Sequence, residues 1–180
     1  LNIINGNLTI PNSVTLDIDG NIDIDGTLTL AASSSICDVS GNWDDVDGTL
    51  AVTGAPIVKL TGTGTVASNP ANQFRKLYIE NGLYTAASDL TIAQNFWIQN
   101  NGQFDVNTFT INQTSLSAQF KVDAGSSLLF SNTGTLISNT RNTGFNTTNG
   151  TITFTAAGTL KIAASDPSIG TFNQGTGTVV

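Results

Sequence analysis

The acidic residues near the start of the chain are the side chains best suited to bind a metal ion. Eight of the 13 Asp and Glu residues lie between Asp17 and Asp47. The segment that begins Asp23-Ile-Asp-Gly-Thr-Leu recurs 22 residues later as Asp45-Val-Asp-Gly-Thr-Leu, so a coil of that length would place Asp23 beside Asp45 and Asp25 beside Asp47. Like charges on adjacent strands repel each other, and a hard cation such as Ca²⁺ would relieve that repulsion. The sequence therefore predicts either a calcium site at these four carboxylates or a solvated acidic strip.

Residues suited to catalysis are scarce. The chain has no His, no Met and a single Cys, Cys37, which excludes His-based acid–base catalysis, Cys/His zinc sites and a disulfide within the chain. Asp44 and Asp45 form an adjacent acidic pair, and paired carboxylates hydrolyse glycosidic bonds in many enzymes. The six Lys and Arg residues, however, are spread along the chain. We therefore predict no enzymatic activity and assign no catalytic residue, with a polysaccharide-degrading enzyme as the lesser alternative.

Trp97 and Tyr84 are the aromatic candidates for contact with a ligand or a partner. Residues 90–98 alternate so that Phe96 and Ile98 would point into a core and Trp97 would face outward. An outward Trp is suited to stack on a sugar, to anchor an interface or to cover a loop. The sequence leaves these three roles open for Trp97, and Tyr84 is the second candidate.

The balance of charge and polarity argues against two classes of partner. The 13 acidic and 6 basic residues give a net charge of −7, which disfavours a nucleic-acid surface. Hydrophobic residues make up 39% of the chain, but no apolar run approaches the roughly 20 residues of a membrane-spanning helix. The 27 Thr and 20 Asn residues indicate a surface of small uncharged groups, which is typical of extracellular β-rich proteins.

Short strands are predicted along the whole chain. Polar and apolar residues alternate in runs of three to five, β-branched residues dominate these runs, and Gly, Asn, Asp or Ser separate them. Residues 14–18, 27–30 and 57–60 are examples. Helical periodicity is almost absent, so the sequence predicts an all-β fold whose strands are too short and too numerous for a β-sandwich.

Internal repeats indicate the architecture. Besides the repeat after 22 residues, Gly26-Thr-Leu-Thr-Leu-Ala-Ala-Ser33 is echoed by Gly158-Thr-Leu-Lys-Ile-Ala-Ala-Ser165. Such a period is typical of β-solenoid coils with three short strands and three corners. We therefore predict a single domain over residues 1–180, a single-stranded parallel β-helix with about 20–24 residues per coil. Residues 69–72 and 139–150 are interpreted as loops at its corners.

Several segments resemble the repeats of large secreted bacterial surface and adhesin-like proteins. The resemblance spans residues 20–180 and rests on short motifs: Val39-Ser-Gly-Asn-Trp43, Gly48-Thr-Leu, Gly62-Thr-Gly-Thr-Val66, Lys76-Leu-Tyr-Ile-Glu-Asn81, Ala87-Ser-Asp-Leu-Thr-Ile92 and Asn101-Gly-Gln-Phe-Asp-Val-Asn107. It implies a right-handed parallel β-helix that belongs to a fibre or stalk on the cell surface.

The two ends of the chain are the predicted places of contact with neighbours. Leu1 and Ile3 at the start and Val179 and Val180 at the end are apolar, and the sequence has no recognisable polar or helical cap at either end. Solenoid ends without caps tend to associate. The chain is therefore interpreted either as a segment of a longer repetitive protein or as a subunit whose ends stack on other copies.

Together these features predict a non-enzymatic extracellular structural protein, a β-solenoid building block of a surface fibre, filament or adhesin stalk. Its expected partners are other copies of itself or adjacent repeats. A glycan-binding adhesin module that uses Trp97 is the alternative. Neither a nucleic-acid partner nor a membrane span is expected, and calcium is the one cofactor considered.

Overall fold

The computed structural model describes the backbone of residues 1–180 and every side chain except that of Asn142. The described chain forms 23 β-strands and one short 3-10 helix, Asn142–Gly144. The strands pair in parallel and wind into a β-solenoid of about eight turns with about 21 residues per coil. The predicted all-β parallel β-helix is thereby confirmed.

Each coil contributes strands to three faces, which follow one another along the chain in the order first, third and second. The first face contains β1 Asn2–Ile3, β4 Ile22–Ile24, β7 Trp43–Asp45, β10 Gly64–Ser68, β12 Leu83–Ala86, β15 Gln103–Asp105 and β18 Ser127–Phe130. The third face contains β2 Asn7–Ile10, β5 Thr27–Leu30, β8 Thr49–Val52, β13 Leu90–Ile92, β16 Thr110–Gln113, β19 Thr135–Ser138, β21 Thr159–Ile162 and β23 Thr178–Val179. The second face contains β3 Thr15–Ile18, β6 Ile36–Val39, β9 Ile57–Leu60, β11 Lys76–Glu80, β14 Phe96–Gln99 and β17 Phe120–Val122.

Two longer strands, β20 Phe145–Phe154 and β22 Ser168–Asn173, run from the second face onto the first. β20 pairs with β17 at its beginning and with β18 at its end, so the two faces form one 15-stranded sheet. The predicted loop over residues 139–150 is therefore wrong in its second half. Residues 145–150 continue as strand because Phe145 and Thr147 are buried in the usual alternating pattern.

Residues 69–75 take the place of a third-face strand in one coil. The third face is split into a three-stranded sheet, β2-β5-β8, and a five-stranded sheet that begins with β13. Between them the chain leaves β10 and enters β11 through a loop in which Phe74 forms a single parallel bridge with Ile92. The loop predicted at residues 69–72 is confirmed, and it brings Asn72 into the interior, where that side chain is buried.

The interior consists of columns of apolar side chains, one from each coil. Alternation along each short strand sends every second residue inward, and the strand register places these residues above one another. On the second face, for example, Phe96 pairs with Phe120 and Phe120 with Phe145. Neighbouring rings in this column lie 5.4 and 4.8 Å apart. The buried apolar residues form one continuous core cluster from Ile3 to Leu160.

Asparagine turns the corner between the second and first faces in successive coils. Asn81, Asn100 and Asn101 have φ angles of 58°, 53° and 63°, in the left-handed region that Asn tolerates better than most residues. The Asn81 backbone N–H donates to the carbonyl of Asn100 at 3.1 Å. The Asn-Gly pairs of the sequence thus mark where the coil bends.

A column of glycines lies before the third-face strands. Asn7, Thr27 and Thr49 share one register, so the preceding Gly6, Gly26 and Gly48 lie above one another. A Cβ at Gly26 would collide with the Gly6 backbone, and a Cβ at Gly48 would collide with the carbonyl oxygen of Ile24. At Gly6 the nearest atom to such a Cβ is 3.6 Å away. A side chain at this position is therefore excluded in each coil that packs against a preceding coil. Gly6 lies in the first described coil, so this restriction does not apply to it.

Within the described part of the chain, no helix is long and apolar enough to cross a membrane.

Candidate functional site

The outward side chains of the second face form a single row along the solenoid. The register aligns one residue from each coil, and the row passes from acidic residues through lysine and two aromatics to lysine and uncharged residues. In order, the row consists of Asp17, Asp38, Lys59, Tyr78, Trp97, Lys121, Asn146 and Ser168. We call it the second-face row.

Two aromatic rings stack at the centre of the second-face row. Trp97 is partly exposed whereas Phe96 and Ile98 are buried, so the predicted outward direction of Trp97 is confirmed. The Tyr78 ring covers one side of Trp97, with centroids 4.7 Å apart and planes only 4° from parallel. The Lys121 ammonium lies 5.5 Å from the centroid of the Trp97 ring. Trp97 is thus held between two neighbours, and less of its ring is open to a sugar than the sequence suggested.

A groove runs beside Trp97 and Lys121. One cavity of about 230 Å³ is lined by Trp97, Gln119, Phe120, Lys121, Thr143, Gly144 and Asn146. A second cavity of about 370 Å³ is lined by Leu116, Ser117, Ala118, Gln119, Arg141, Thr143 and Gly144. Because both cavities share Gln119, Thr143 and Gly144, they form one continuous depression, which we call the Trp97 groove.

Tyr84 is wrong as a candidate for ligand or interface contact. Its side chain is fully buried, because Leu83 to Ala86 alternate with Tyr84 on the inner side. The Tyr84 hydroxyl donates to the carbonyl oxygen of Val39 at 3.0 Å and accepts from the backbone N–H of Gly62 at 3.3 Å. Burial raises the pKa of this hydroxyl above its ordinary value. Tyr84 is a core residue whose hydroxyl is satisfied by backbone groups of the two preceding coils.

The predicted ladder of four aspartates is wrong in register. Asp23 pairs with Asp44 and not with Asp45, because Ile22 aligns with Trp43 and the coil at this point is one residue shorter than the repeat. Asp45 consequently points inward and is fully buried. The predicted calcium cage is therefore not formed, and among the described side chains no group of three or more acidic, Cys or His residues is arranged to hold a metal ion.

A solvated acidic cluster remains on the outside of these coils. Asp23, Asp25, Asp44 and Asp47 are exposed. Partial desolvation and repulsion from the three neighbouring carboxylates raise the pKa of Asp23 above its ordinary value. The second interpretation of the acidic stretch, a solvated strip, describes this cluster, with Asp44 in the place that was predicted for Asp45.

Asp45 instead forms a buried polar cluster with the loop at residues 69–75. The Asn72 amide donates to its Oδ2 at 2.9 Å, and the polar groups of Trp43, Ser68 and the Asn69 backbone also favour its ionised form. Burial outweighs these groups and raises the pKa of the Asp45 carboxyl above its ordinary value of 3.8. Asp45 Oδ1, Trp43 Nε1 and Ser68 Oγ make no regular hydrogen bond among the described residues, so the protein groups satisfy this cluster only in part.

We expect Asp45 to make the stability of the protein depend on pH. A carboxyl whose pKa is raised in the folded state stabilises the fold when protonated, below the ordinary pKa of 3.8, and loses that contribution as the pH rises through the raised pKa. The free energy of unfolding of the wild type, relative to Asp45→Asn, should therefore fall between pH 3 and neutrality in denaturant titrations. A difference between wild type and Asp45→Asn that stays constant over this pH range would contradict the expectation.

The buried position of Asp45 could have been predicted from the alternation of side chains along its strand. Trp43 is a large apolar residue in a short strand, and residues two apart in a strand point to the same side. Trp43 inside therefore places Asp45 inside and Asp44 outside, whatever the repeat length suggests. Asp44 and Asp45 also face opposite sides of the sheet, so they do not form the paired carboxylates of a hydrolase site.

The predicted end residues differ in exposure. Leu1, Val179 and Val180 are exposed, with 49%, 38% and 70% of their surface open to solvent, whereas Ile3 is buried. Ile3 pairs with Ile24 and belongs to the core. Three of the four predicted contact residues thus lie on the surface of the terminal coils, whereas the prediction is wrong for Ile3, which is a core residue of the first coil.

Comparison with known proteins gives no relative: no family model, no curated protein and no solved structure matches the chain. A fold alone does not identify a function. The function of this solenoid must therefore be inferred from its ends and from the Trp97 groove.

Proposed function

We propose that this chain is a non-enzymatic extracellular structural protein, a β-solenoid building block of a surface fibre, filament or adhesin stalk. Each coil is joined to the next by parallel backbone hydrogen bonds on its faces. Force applied along the axis is thereby shared among the strands of a coil. The repeats, the scarcity of charged residues and the resemblance to secreted surface proteins support this role.

The observation that carries the proposal is the parallel pairing of each coil with the next along the solenoid, a pairing that the first and last described strands are able to continue. Strands β1, β2 and β3 have a paired neighbour on one side only, and so have β22 and β23. Open strand edges are templates for further pairing. Of the eight large apolar side chains that are exposed among those described, six lie in the terminal coils: Leu1, Ile4, Val14, Ile169, Val179 and Val180.

The glycine columns suggest the register of such a stack. Thr135, Thr159 and Thr178 share one register, so the preceding Gly134, Gly158 and Gly177 form a second column on the third face. Placing Gly6 of one copy over Gly177 of another continues this column and lays β2 beside β23 in parallel. Val179 would then lie beside Leu8. The same geometry serves a neighbouring coil of a longer polypeptide.

We expect the 180-residue chain to assemble end to end as its concentration rises. Sedimentation velocity and electron microscopy would detect species that lengthen along one axis. Val179→Lys places a charge at the stacking surface and should weaken assembly about tenfold or more, because a buried unpaired charge costs well over 1.4 kcal/mol. Val46→Lys is the matched control, since Val46 is equally exposed at 40% but lies away from the ends. It should assemble like the wild type.

Two outcomes would separate the versions of this proposal. A wild-type chain that stays monomeric at millimolar concentration would overturn self-stacking and leave the interpretation as a segment of a longer solenoid. Equal weakening by Val46→Lys and Val179→Lys would assign the association to general hydrophobic contact and not to the ends.

Glycan binding is the second candidate function, and the Trp97 groove is the observation that favours it. The groove combines a partly exposed aromatic ring with amide and hydroxyl side chains, a combination suited to sugars. A glycan array distinguishes it from a purely structural role, because absence of any signal counts against this candidate. Catalysis is not part of either proposal.

A further inference from the structure

Two loops from adjacent coils build the wall of the Trp97 groove. Residues 114–119 connect β16 to β17, and residues 139–144 connect β19 to β20. The backbone N–H of Arg141 donates to the carbonyl oxygen of Leu116 at 3.1 Å, and that of Asn139 donates to Gln113 at 3.1 Å. The loops are thus stacked like the strands that they extend. The groove is therefore a feature of ordered backbone rather than a gap between loose segments.

The charge of the groove is opposite to that of the whole chain. The protein carries 13 acidic and 6 basic residues, yet two of the six cations, Lys121 and Arg141, line the groove. None of its described lining residues is Asp or Glu. A depression lined by cations without a lining carboxylate favours an anionic ligand by charge complementarity, even on a strongly acidic protein.

The two cations differ in their partners. The Lys121 ammonium forms an ion pair with Asp123 at 2.8 Å, whereas the exposed Arg141 has no carboxylate partner among the described side chains. A guanidinium binds carboxylates with two parallel hydrogen bonds. Arg141 is therefore the anchor for a carboxylate, and the Lys121 ammonium, already paired with Asp123, offers a further donor at the other end of the groove.

The remaining lining groups fit a ligand with many hydroxyls. Ser117, Gln119, Thr143 and Asn146 offer donors and acceptors on the exposed wall. Trp97 and Leu116 add apolar contact for the carbon face of a sugar. Both sides of the Trp97 ring are engaged by Tyr78 and Lys121, so recognition depends on the cations and the amides more than on ring stacking.

From these observations we propose that the Trp97 groove binds an acidic oligosaccharide whose carboxylates, such as those of uronic acids, pair with Arg141 and Lys121. The two cavities together fall within the roughly 300–1,000 Å³ of ordinary ligand sites. This inference rests on the second candidate function, because it specifies the ligand class of the same groove. It is independent of end-to-end stacking.

The test compares oligogalacturonate of defined length with its methyl ester, which has the same sugar ring without the charge. Calorimetric titration should show binding of the acid and about tenfold weaker binding of the ester, as expected for loss of charge-assisted hydrogen bonds. Arg141→Gln should weaken binding of the acid by a similar factor, about tenfold. Lys59→Gln is the matched control, because it removes the same charge from the second-face row three coils away from Lys121, and it should leave the affinity within about twofold.

Each other outcome overturns a stated part of the proposal. Equal binding of the acid and its ester would keep a glycan site but overturn the acidic ligand. Absence of binding by the acid, its ester and a sulfated oligosaccharide, each at millimolar concentration, would overturn both the inference and the glycan function. Equal loss in Lys59→Gln and Arg141→Gln would assign binding to diffuse charge. Tight binding of a sulfated oligosaccharide without binding of the galacturonate would replace the carboxylate by a sulfate. Circular dichroism of each variant verifies that the fold is retained.

Discussion

Phe120→Ala should lower the free energy of unfolding by about 3–5 kcal/mol, the usual loss for a buried Phe replaced by Ala. Phe120 is fully buried and lies between the rings of Phe96 and Phe145, at 5.4 and 4.8 Å. Its removal deletes contacts with the coil on each side and leaves a cavity in the middle of the column. The stacked coils cannot close around it without breaking the register of the backbone ladders, so little relaxation is expected.

Phe172→Ala is the comparison that tests this reasoning. Phe172 is only partly buried in the last coil and contacts one other ring, that of Phe154, at 5.7 Å. Its replacement should cost about 1–2 kcal/mol, in proportion to the smaller apolar area that it buries. Chemical denaturation followed by circular dichroism measures both values. Equal losses for the two variants would contradict this reasoning, because Phe172 buries less apolar area than Phe120 and contacts one ring instead of two.

Gly48→Ala should cost about 3 kcal/mol, at the upper end of the range for overpacked positions. A Cβ at residue 48 would collide with the carbonyl oxygen of Ile24 and would lie 2.8 Å from the Ile24 Cγ2 atom. The colliding atom belongs to the backbone of β4 in the preceding coil, which is held by its parallel pairing with β1 and β7. The strain therefore cannot be relieved by the rotation of a flexible side chain.

Gly6→Ala is the matched control because Gly6 occupies the same column. The nearest atom to a Cβ at Gly6 is 3.6 Å away, which is an ordinary van der Waals distance. The free energy of unfolding of the monomer should change by less than about 0.5 kcal/mol, as for other surface substitutions. If Gly6→Ala and Gly48→Ala destabilise the monomer equally, then the cost arises from backbone flexibility and not from the collision with the preceding coil.

The parallel β-helix was predictable because two independent signals in the sequence agree. Alternation of period two gives short strands with one inward side, and the repeat after 22 residues places similar strands one coil apart. Short strands that recur at this interval satisfy their backbone only by pairing with the coils before and after. Phe96, Trp97 and Ile98 are an example, because the alternation of side chains along the strand alone predicted the correct side of the sheet for all three.

Register was harder to predict because the coils are unequal. Paired residues lie 19 positions apart at Lys76 and Ile57 but 25 apart at Phe145 and Phe120, since the corners absorb different numbers of residues. The repeat of 22 holds for Thr27 and Thr49, although Asp23, only four positions earlier, pairs across 21. An error of one residue sends a side chain to the other side of the sheet, which is why Asp45 was misplaced.

The Trp97 groove could not be read from the sequence for a related reason. Its lining comes from residues 97, 116–121, 141, 143, 144 and 146, which belong to three successive coils. Their meeting depends on the lengths of two corner loops and on the pairing of Trp97 with Lys121. Neither Arg141 nor Gln119 carries a motif that would have marked it.

The uneven distribution of charge makes the N-terminal coils of the solenoid strongly acidic and leaves the remaining coils nearly neutral. Residues 1–58 contain eight acidic residues and neither Lys nor Arg, whereas the rest of the chain carries five acidic and six basic residues. Copies joined head to tail would repeat this asymmetry once per subunit. With about eight coils spaced by about 4.8 Å, negative bands would recur roughly every 40 Å. Such a polymer would have two chemically distinct tips and a striped pattern to which small cations or basic proteins would attach periodically.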